Sequence, residues 1–465
     1  MTVEKSPMVD LAGNVFYAGR VMAKKSSYMQ QGGALLSGVV LAVILIVGLL
    51  FLTGDRGSDS PVQVAAGGED TAAMREAFRT YGRPFQAERD IAVLAREAGE
   101  RRFVLMGEST HGTADFYTLR AALSQALIEE YGFRFIAVEG DWASIGRLND
   151  YIQGREGAAD SARAALESFY RWPRWMWANE EFAAFGEWLR AYNEARDPAD
   201  HVHIYGMDLY GHEEAAGLLN RFLSTLRLDQ PPADPQMSLT DFMAELVGDT
   251  PDEEGFYALQ AAHVISAAEA FYGNMGRDGS ITWNIRATHM ADTLHRLAAY
   301  HSRLDGTPAK GIIWAHNTHI GDARATDMGA RGEVNIGQLS RERFGARAAY
   351  LVGFTKYGGT VLAGRAWEAP RELMRVAAPP AGSFESMLAA MDKGDAFFTF
   401  PPVEDAPALL RNHSVGHRAI GVVYNPERDY MQYVPSFPAL RYDALVYIEK
   451  TSALTPIHEQ EAQYE

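Results

Sequence analysis

The strongest constraint on the fold is an alternation, along residues 71–455, between short apolar runs and longer segments with helical periodicity. The runs are rich in β-branched and aromatic residues, which is typical of buried strands. Eight runs can be recognised, at residues 103–107, 133–139, 201–207, 311–316, 348–354, 396–400, 419–424 and 443–449. This alternation predicts an α/β catalytic domain with a mostly parallel sheet flanked by helices.

One long part of this domain lacks any strand signal. Residues from about 210 to 305 include "AAGLLNRFLSTLRL" and "FYALQAAHVISAAEAFY", which both have helical periodicity. We interpret this part as a helical insertion and expect it to form a lid or cap over the substrate.

The N-terminal part carries an uncharged apolar segment, Ala34–Thr53. Its 20 residues are enough for a helix to cross a bilayer. Basic residues precede it, so the positive-inside rule predicts a cytoplasmic segment 1–33, a transmembrane signal anchor 34–53 and an extracytoplasmic remainder on a single-pass inner or plasma membrane protein. A cleaved signal peptide is the alternative. Residues 54–70 are rich in Gly, Ser and Asp and predict a flexible tether, and residues 456–465 form a C-terminal tail.

The charge and cysteine content exclude several kinds of chemistry. The formal net charge of -17 argues against a nucleic-acid partner, because phosphate binding needs a basic surface. The chain has no cysteine, which excludes disulfides, a cysteine nucleophile and cysteine-ligated metal.

Four of the predicted strands end in acidic or imidazole side chains. In open α/β sheets ligands bind beyond the carboxyl ends of the strands, where loops from several strands converge. A single acidic residue there usually caps the next helix, but four such ends, two of them with histidine, indicate a site. The residues are Glu108 and His111, then Glu139 and Asp141, then Asp208, and finally His316, His319 and Asp322.

His111 is the predicted general base of this site, because imidazole exchanges protons near neutral pH. Glu108 or Glu139 would orient its ring and stabilise the imidazolium. The glycines around "GESTHG" would allow a tight turn and close approach of the substrate.

Arg120 and the two histidines of "AHNTH" are expected to support the base. Arg120 lies in the helix after His111, and helical side chains lean towards the helix N-terminus, so it can hold a carboxylate or a substrate carbonyl. An ion pair on the helix flank is an equal alternative. His316 or His319 would stabilise an oxyanion.

The stretch "RWPRWMW" places Trp172, Trp175 and Trp177 at a spacing that matches no helix or strand period. Tryptophans in a proline-containing loop suit the apolar wall of a binding site, and an anchor at the membrane surface is the alternative. We assign six residues to substrate binding: Trp142, Trp172, Trp175, Trp177, Asp208 and Asn317.

Other catalytic signatures are weak. Ser109 is not in a G-x-S-x-G elbow, and the sequence contains no H-E-x-x-H, Walker A or G-x-G-x-x-G motif. The histidines and carboxylates could bind a metal, but no pair has helical i, i+4 spacing, so we predict neither a metal nor a cofactor.

At these residues the sequence resembles the erythromycin esterase family. The resemblance covers residues from about 85 to 452 and rests on blocks in the same order, among them "GESTHGTADFYTLRAAL", "FIAVEGDW", "WPRWMWAN", "YGMDLYG", "WAHNTHIGDARATDMGARGEVNIGQLSRERFG" and "LVGFTKYGGTV". It implies an α/β core with helical additions and an ester hydrolysis with little or no dependence on metal, typically of a macrolide lactone. It also implies that His111 is the base that activates water, supported by Glu108, Glu139, Arg120, His316 and His319.

The expected function is therefore a membrane-tethered hydrolase of an ester or macrolactone, with a small-molecule substrate. Two alternatives remain open: a non-catalytic ligand-binding protein of the cell envelope and a metal-dependent ester or phosphoester hydrolase. The sequence does not determine the oligomeric state.

Overall fold

The computed structural model describes residues 68–226 and 237–458. The predicted signal anchor lies outside these residues, as do the cytoplasmic segment, nearly all of the tether and most of the C-terminal tail. Within the described ranges, no helix combines the length and the apolar character that crossing a bilayer requires.

Eleven strands are present in the described residues. Their bounds are β1 Gly82–Pro84, β2 Phe103–Met106, β3 Phe135–Asp141, β4 His203–Asp208, β5 Gly311–Trp314, β6 Ala349–Gly364, β7 Arg371–Val376, β8 Ala396–Thr399, β9 Val415–Arg418, β10 Tyr433–Ser436 and β11 Ala444–Thr451. Nine form one sheet in the order β1-β8-β11-β6-β2-β5-β3-β4, with β7 paired to β6, and β9 and β10 form a separate antiparallel pair.

The helices lie between the strands in the alternation that the sequence predicts. Their bounds are α1 Gly68–Tyr81, α2 Ala87–Ala98, α3 Ala114–Tyr131, α4 Trp142–Gln153, α5 Ala162–Glu167, α6 Glu180–Glu194, α7 His212–Thr225, α8 Leu239–Val247, α9 Glu253–Gly273, α10 Gly279–Asp305, α11 Asn317–Ile320, α12 Asp327–Ala330, α13 Ile336–Phe344, α14 Phe384–Ala389, α15 Ala408–Asn412 and α16 Pro438–Arg441. Short 3-10 turns cover Arg174–Met176, Pro198–Asp200, Ala323–Ala325 and Pro426–Met431.

The centre of the sheet is parallel, which confirms the predicted α/β class. The pairs β11–β6, β6–β2, β2–β5, β5–β3 and β3–β4 are all parallel, whereas β8 joins β11, and β1 joins β8, in antiparallel fashion. Every residue of β2, β3 and β5 is buried. Strands of this kind are covered on both faces, which explains why they appear in the sequence as unbroken apolar runs.

The chain divides into two compact units. The first contains Tyr210–Gly279, in which α7 and α8 both pack against α9. The second contains the sheet and consists of Gln63–Leu209 and Ser280–Glu465. The predicted helical insertion of about 210–305 therefore extends over α7 to α9 of the first unit and also over α10, which belongs to the sheet unit from Ser280 onwards.

Seven of the eight predicted strands are present with shifted ends, and the run at 419–424 is not a strand. Its residues make only isolated bridges, from Ile420 to Thr110 and from Val423 to Gly364. This run is apolar because Ile420 and Tyr424 pack into a small cluster with Val361 and Met374. The run is therefore a loop that is buried against the β6–β7 hairpin.

Candidate active site

The carboxyl ends of β2, β3, β4 and β5 bring together most of the predicted catalytic residues. These strands are parallel neighbours in the sheet, so their ends lie at one edge. Each strand is followed by a loop or helix start that carries an acidic or imidazole side chain, as the sequence predicts.

Glu108 and His111 follow β2 and form a buried pair. The Nδ1 atom of His111 lies 2.8 Å from Oε1 of Glu108. A carboxylate only accepts hydrogen bonds, so Nδ1 carries the proton and Nε2 keeps the basic lone pair. His111 is 7% exposed, and its Nε2 has no hydrogen-bond partner within the described part of the chain. The ring is thus oriented with its basic nitrogen free for a ligand.

Arg120 fixes the other side of Glu108. Its Nη2 donates to Oε2 of Glu108 at 2.9 Å, from the second turn of α3. The guanidinium is fully buried and lies over the rings of Tyr117 and Trp314, at 4.4 and 4.8 Å from the ring centroids. Arg120 was predicted to hold either a carboxylate or a substrate carbonyl, and in the structure it holds the carboxylate of Glu108. This ion pair lies in the interior of the protein and not on the flank of the helix.

The glycines of the motif are needed for close contacts inside the protein. A Cβ atom on Gly107 would overlap the side-chain amide of Asn317, and one on Gly112 would overlap the backbone of Leu362. We had expected these glycines to admit the substrate, but the nearest atoms belong to the chain itself. The backbone approach at Gly112 brings β6 against the turn that carries His111, because Leu362 N donates to Gly112 O at 3.0 Å.

Glu139, at the end of β3, is the acceptor of a second network. Its Oε2 accepts from the backbone N–H of His316 at 2.8 Å, and its Oε1 accepts from Nη2 of Arg286 at 2.7 Å. His319 Nε2 lies 3.3 Å from the same Oε1. Burial opposes ionisation of Glu139, but the positive charges of His319 and Arg286 hold its pKa well below the ordinary 4.5.

Arg286 is the functional residue that the sequence did not reveal. It lies in α10, and its guanidinium donates to both carboxylate oxygens of Asp208 at 2.6 and 2.9 Å as well as to Glu139. Its Nη1 is also 3.1 Å from Nε2 of His319. The available signal was indirect: two buried acids at neighbouring strand ends require a cation. The helical stretch "WNIRATHM" gives no sign that its arginine is the cation that these acids require.

His316 lies opposite the base. The rings of His111 and His316 have centroids 4.9 Å apart. The Nδ1 of His316 accepts from the backbone N–H of Thr318 at 3.3 Å and lies 2.9 Å from the Thr318 hydroxyl, which can donate to the same nitrogen. With Nδ1 as the acceptor, the proton of the neutral ring is on Nε2. That Nε2 is buried and has no hydrogen-bond partner in residues 68–226 and 237–458. Burial and the nearby His111 hold the pKa of His316 well below 6.5, which favours a neutral ring.

His319 has a different environment. Its ring stacks on Trp283 with centroids 4.6 Å apart and an interplanar angle of 8°. Since its Nε2 faces Glu139 and Arg286, this histidine is engaged in the second network. Nδ1 of His319 is, like Nε2 of His316, buried without a hydrogen-bond partner in the described residues. His316 differs from His319 in that its ring lies against the ring of His111.

Burial, hydrogen bonding and charge act against each other at His111. Burial lowers its pKa, but the hydrogen bond to Glu108 and the charge of Glu139 outweigh burial and raise the pKa above the ordinary 6.5. A base of this kind is a stronger proton acceptor than free imidazole, provided that the pH is high enough to leave it neutral.

The residues assigned to substrate binding have varied positions. Asp208 is held by Arg286 as described, and the amide of Asn317 donates to Phe354 O at 2.8 Å, which ties its loop to β6. Trp142 stacks on Tyr205 and Trp175 is 1% exposed, both in the interior. Their contact with substrate stays a prediction.

The tryptophan loop reaches the strand ends through two polar contacts. Trp177 Nε1 donates to the carbonyl of Glu139 at 2.9 Å, and Arg171 donates to both carboxylate oxygens of Asp141 at 2.6 and 2.7 Å. Trp172 is 5% exposed and lies at the outer end of this loop, against the hairpin of β6 and β7. The loop is therefore packed into the fold at Trp175 and Trp177 and borders the site near Arg171 and Trp172.

The carboxylates that the sequence offers as possible metal ligands have protein partners. Glu108 binds Arg120 and His111, while Glu139 and Asp208 bind Arg286. In the described ranges, no group of three or more His, Asp or Glu side chains is arranged to hold a metal ion.

Comparisons with known proteins agree with the predicted resemblance. The family model described as erythromycin esterase matches residues 128–238 and 233–451. A protein of Escherichia coli described as erythromycin esterase type II is 32% identical over 120 residues. That match spans 26% of this chain and 26% of the relative.

Three solved structures share the fold at low sequence identity. A succinoglycan biosynthesis protein has a TM-score of 0.61 at 18% identity and covers 84% of this chain and 100% of its own. A protein from Bacillus cereus has a TM-score of 0.63 at 16% identity and covers 84% and 99%. A mutant of the erythromycin esterase EreC in its open conformation has a TM-score of 0.51 at 16% identity and covers 80% and 98%.

The family match covers well over half of the chain, including the ends of β3, β4 and β5 and the whole of "AHNTH". The chain belongs to the erythromycin esterase family.

Proposed function

We propose that this protein is a carboxylic ester hydrolase in which His111 activates water. The observation that carries the proposal is the fixed orientation of one imidazole: Glu108 holds Nδ1, while Nε2 faces a space without a protein partner in the described residues. Family membership and the relative described as an erythromycin esterase support the reaction type.

The proposed reaction uses the two facing histidines in different roles. Nε2 of His111 takes a proton from water as the water oxygen attacks the ester carbonyl carbon. Nε2–H of His316 donates to the carbonyl oxygen as negative charge develops there. A neutral imidazole can fill that role, because its one N–H group is a hydrogen-bond donor that can be directed at the developing oxyanion. The imidazolium of His111 then returns the proton to the leaving alkoxide, which breaks the ester bond and restores the base.

The second network has a supporting role in this proposal. Arg286 and Glu139 fix the loop of His316, because Glu139 accepts the backbone N–H of His316. The pKa of Glu139 is held so low that its carboxylate is a poor proton acceptor at neutral pH. Glu139 therefore positions groups and stabilises positive charge on His111, and it does not take the proton from water.

A panel of p-nitrophenyl esters and macrolides tests the proposal directly. The wild-type chain should hydrolyse at least one of them, and His111→Ala should lower kcat by a factor of about 10² to 10⁴, the range typical for loss of a general base. Ser109→Ala is the matched control, because Ser109 lies in the same turn but has 0% exposure and is not in a G-x-S-x-G elbow, whereas His111 is 7% exposed. Full activity of His111→Ala, or loss of activity in Ser109→Ala alone, would contradict the mechanism.

We also propose that residues 34–53 anchor this hydrolase in the inner or plasma membrane, with the sheet unit on the extracytoplasmic side. The support is the sequence alone: an uncharged segment of bilayer length preceded by Arg20, Lys24 and Lys25. In that position a macrolactone or another membrane-permeant ester would meet the enzyme before entering the cytoplasm.

A further inference from the structure

The β6–β7 hairpin extends beyond the sheet at the edge where the candidate site lies. Strand β6 pairs with β2 only over Ala349–Val352, yet it continues to Gly364 and pairs there with β7. Its outer part touches the turn that carries His111, through the hydrogen bond from Leu362 N to Gly112 O. The hairpin thus borders the site, because it contacts Gly112, the residue that follows the proposed base His111 in the chain.

Two tryptophans meet where this hairpin reaches the tryptophan loop. The rings of Trp172 and Trp367 have centroids 4.8 Å apart at an interplanar angle of 60°. Trp172 Nε1 also donates to Ala369 O at 3.0 Å, which ties the loop to the hairpin tip. Trp172 follows Arg171, which clamps Asp141 at the end of β3.

The outer tryptophan is unusually exposed. Trp367 is 58% exposed while Trp172, beneath it, is 5% exposed. A large aromatic ring that is held in place by a second ring and still faces water presents a fixed apolar surface, and such surfaces are typical of binding-site rims. Two contacts connect this part of the chain with the candidate site: Arg171, next to Trp172, donates to Asp141, and Leu362 of β6 donates its backbone N–H to the carbonyl of Gly112.

We propose that Trp367, supported by Trp172, contacts the apolar body of the ester substrate and makes the enzyme prefer bulky apolar esters to small ones. The inference rests on the proposed function, since it extends the same site to a substrate class. Trp367 is then a specificity-determining residue, which contacts the apolar body of the substrate and takes no part in the reaction at the carbonyl.

The chain offers a matched control on the same hairpin. Leu373 is 70% exposed and belongs to β7, whose side chains alternate: Met374 and Val376 point inwards and are buried. Leu373 is therefore an exposed apolar residue of similar setting, on the outer face and without the aromatic contact to Trp172.

The experiment compares p-nitrophenyl decanoate with p-nitrophenyl acetate, both below the micellar concentration, using the full-length chain. The readout is the ratio of kcat/KM for decanoate to kcat/KM for acetate. Trp367→Ala should lower this ratio about tenfold, mainly through KM for decanoate, because binding on a fixed apolar surface acts before the chemical step. Trp367→Phe should retain most of the preference, and Leu373→Ala should leave the ratio unchanged.

A binding measurement separates this inference from the reaction itself. Calorimetric titration with p-nitrophenyl decyl ether, which cannot be hydrolysed, should give a dissociation constant about tenfold weaker for Trp367→Ala than for Leu373→Ala. If no ester is hydrolysed but this difference in affinity is found, the proposed hydrolase function fails, while the inference that Trp367 binds an apolar ligand is supported. An unchanged specificity ratio or ether affinity in Trp367→Ala, or equal effects of Trp367→Ala and Leu373→Ala, would overturn the inference.

Discussion

At the scale of single residues, the site separates two buried carboxylates into two roles. Glu108 is held by Arg120 and orients His111, whereas Glu139 is held by Arg286 and orients the loop of His316. The difference comes from their partners, because both acids lie at strand ends and both are buried. Two imidazole rings, His111 with a raised pKa and His316 with a lowered pKa, face each other with centroids 4.9 Å apart.

The first prediction concerns pH. Because the pKa of His111 is raised by Glu108 and Glu139, kcat/KM should increase with pH through an inflection above 6.5. In Glu108→Gln, burial still lowers the pKa of His111, but the negative charge of Glu108 that raises it is lost. The inflection should therefore move to lower pH, and the maximal rate should fall because a weaker base takes the proton from water. A pH profile of kcat/KM for both proteins checks this, and an inflection at the same pH in both would refute the assignment of His111 as base.

The second prediction concerns the ion pair of Arg286. Its side chain is 14% exposed, and removing it would leave the carboxylates of Asp208 and Glu139 without their cation. Arg286→Met should therefore reduce the free energy of unfolding by about 3–5 kcal/mol. Asp208→Asn in the same chain should recover part of that loss, since one uncompensated charge disappears. Urea unfolding of the two single variants and the double variant measures the coupling, and strictly additive effects would show that the pair does not interact.

The sequence predicted which residues close to one another in the chain meet at the strand ends, but it did not predict the partner that is distant in the chain. Glu108, His111 and Arg120 lie within 13 positions, so the strand-to-helix pattern was enough to place them together. Arg286 follows Asp208 by 78 positions and lies within a helix, where an arginine on the surface is the ordinary case. Only the three-dimensional packing of α10 against the strand ends identifies it.

At the scale of secondary structure, hydrophobic runs predicted the buried parallel strands and missed the strands at the margins. Strand β7 alternates exposed and buried residues over its last four positions and contains three charged side chains, so it has no apolar run. Strand β6 was expected to end at residue 354 and continues to Gly364, through a stretch with several glycines. The part missed by sequence reasoning is the hairpin that borders the site.

The third prediction tests the contact between that hairpin and the catalytic turn. Gly112→Ala should displace β6 or the His111 turn, because its Cβ would overlap the Leu362 carbonyl, and we expect a loss of kcat together with about 1–3 kcal/mol of stability. Gly132→Ala is the control: Gly132 has φ of 69° at the end of α3 and free space around it. It should cost about 1 kcal/mol through left-handed backbone strain and leave kcat unchanged. Equal kcat values in the two variants would argue against the contact.

At the scale of the whole molecule, the site could be predicted without the strand order, because ligands bind beyond the carboxyl ends of parallel strands wherever each strand lies in the sheet. The order β1-β8-β11-β6-β2-β5-β3-β4 depends on which way each crossover turns, and no run of residues encodes that directly. Parallel strands nevertheless end at one edge whatever their order. Residues 108 to 319 could thus be assigned to one cleft while the arrangement of the sheet stayed open.

The fourth prediction concerns the location of the molecule. If residues 34–53 form a retained anchor, the full-length chain should remain in the membrane pellet after an alkaline carbonate wash, and removal of residues 1–53 should release it. External protease should digest the hydrolase domain in spheroplasts if this domain is extracytoplasmic. A full-length chain that is washed off by carbonate, or that is shortened after residue 53 in cells, would contradict the retained anchor.

The ion pair between Asp208 and Arg286 has one more consequence. The chain leaves the sheet unit after Leu209 and returns to it at Ser280, so the two residues flank the helical segment in sequence and touch in space. A segment whose two attachment points are held so close together can be lengthened, shortened or exchanged with little change in loop-closure entropy. Relatives can therefore diversify this 70-residue module by insertion or replacement while the edge that carries His111 stays in register, and protein engineers can graft new modules at the same two points.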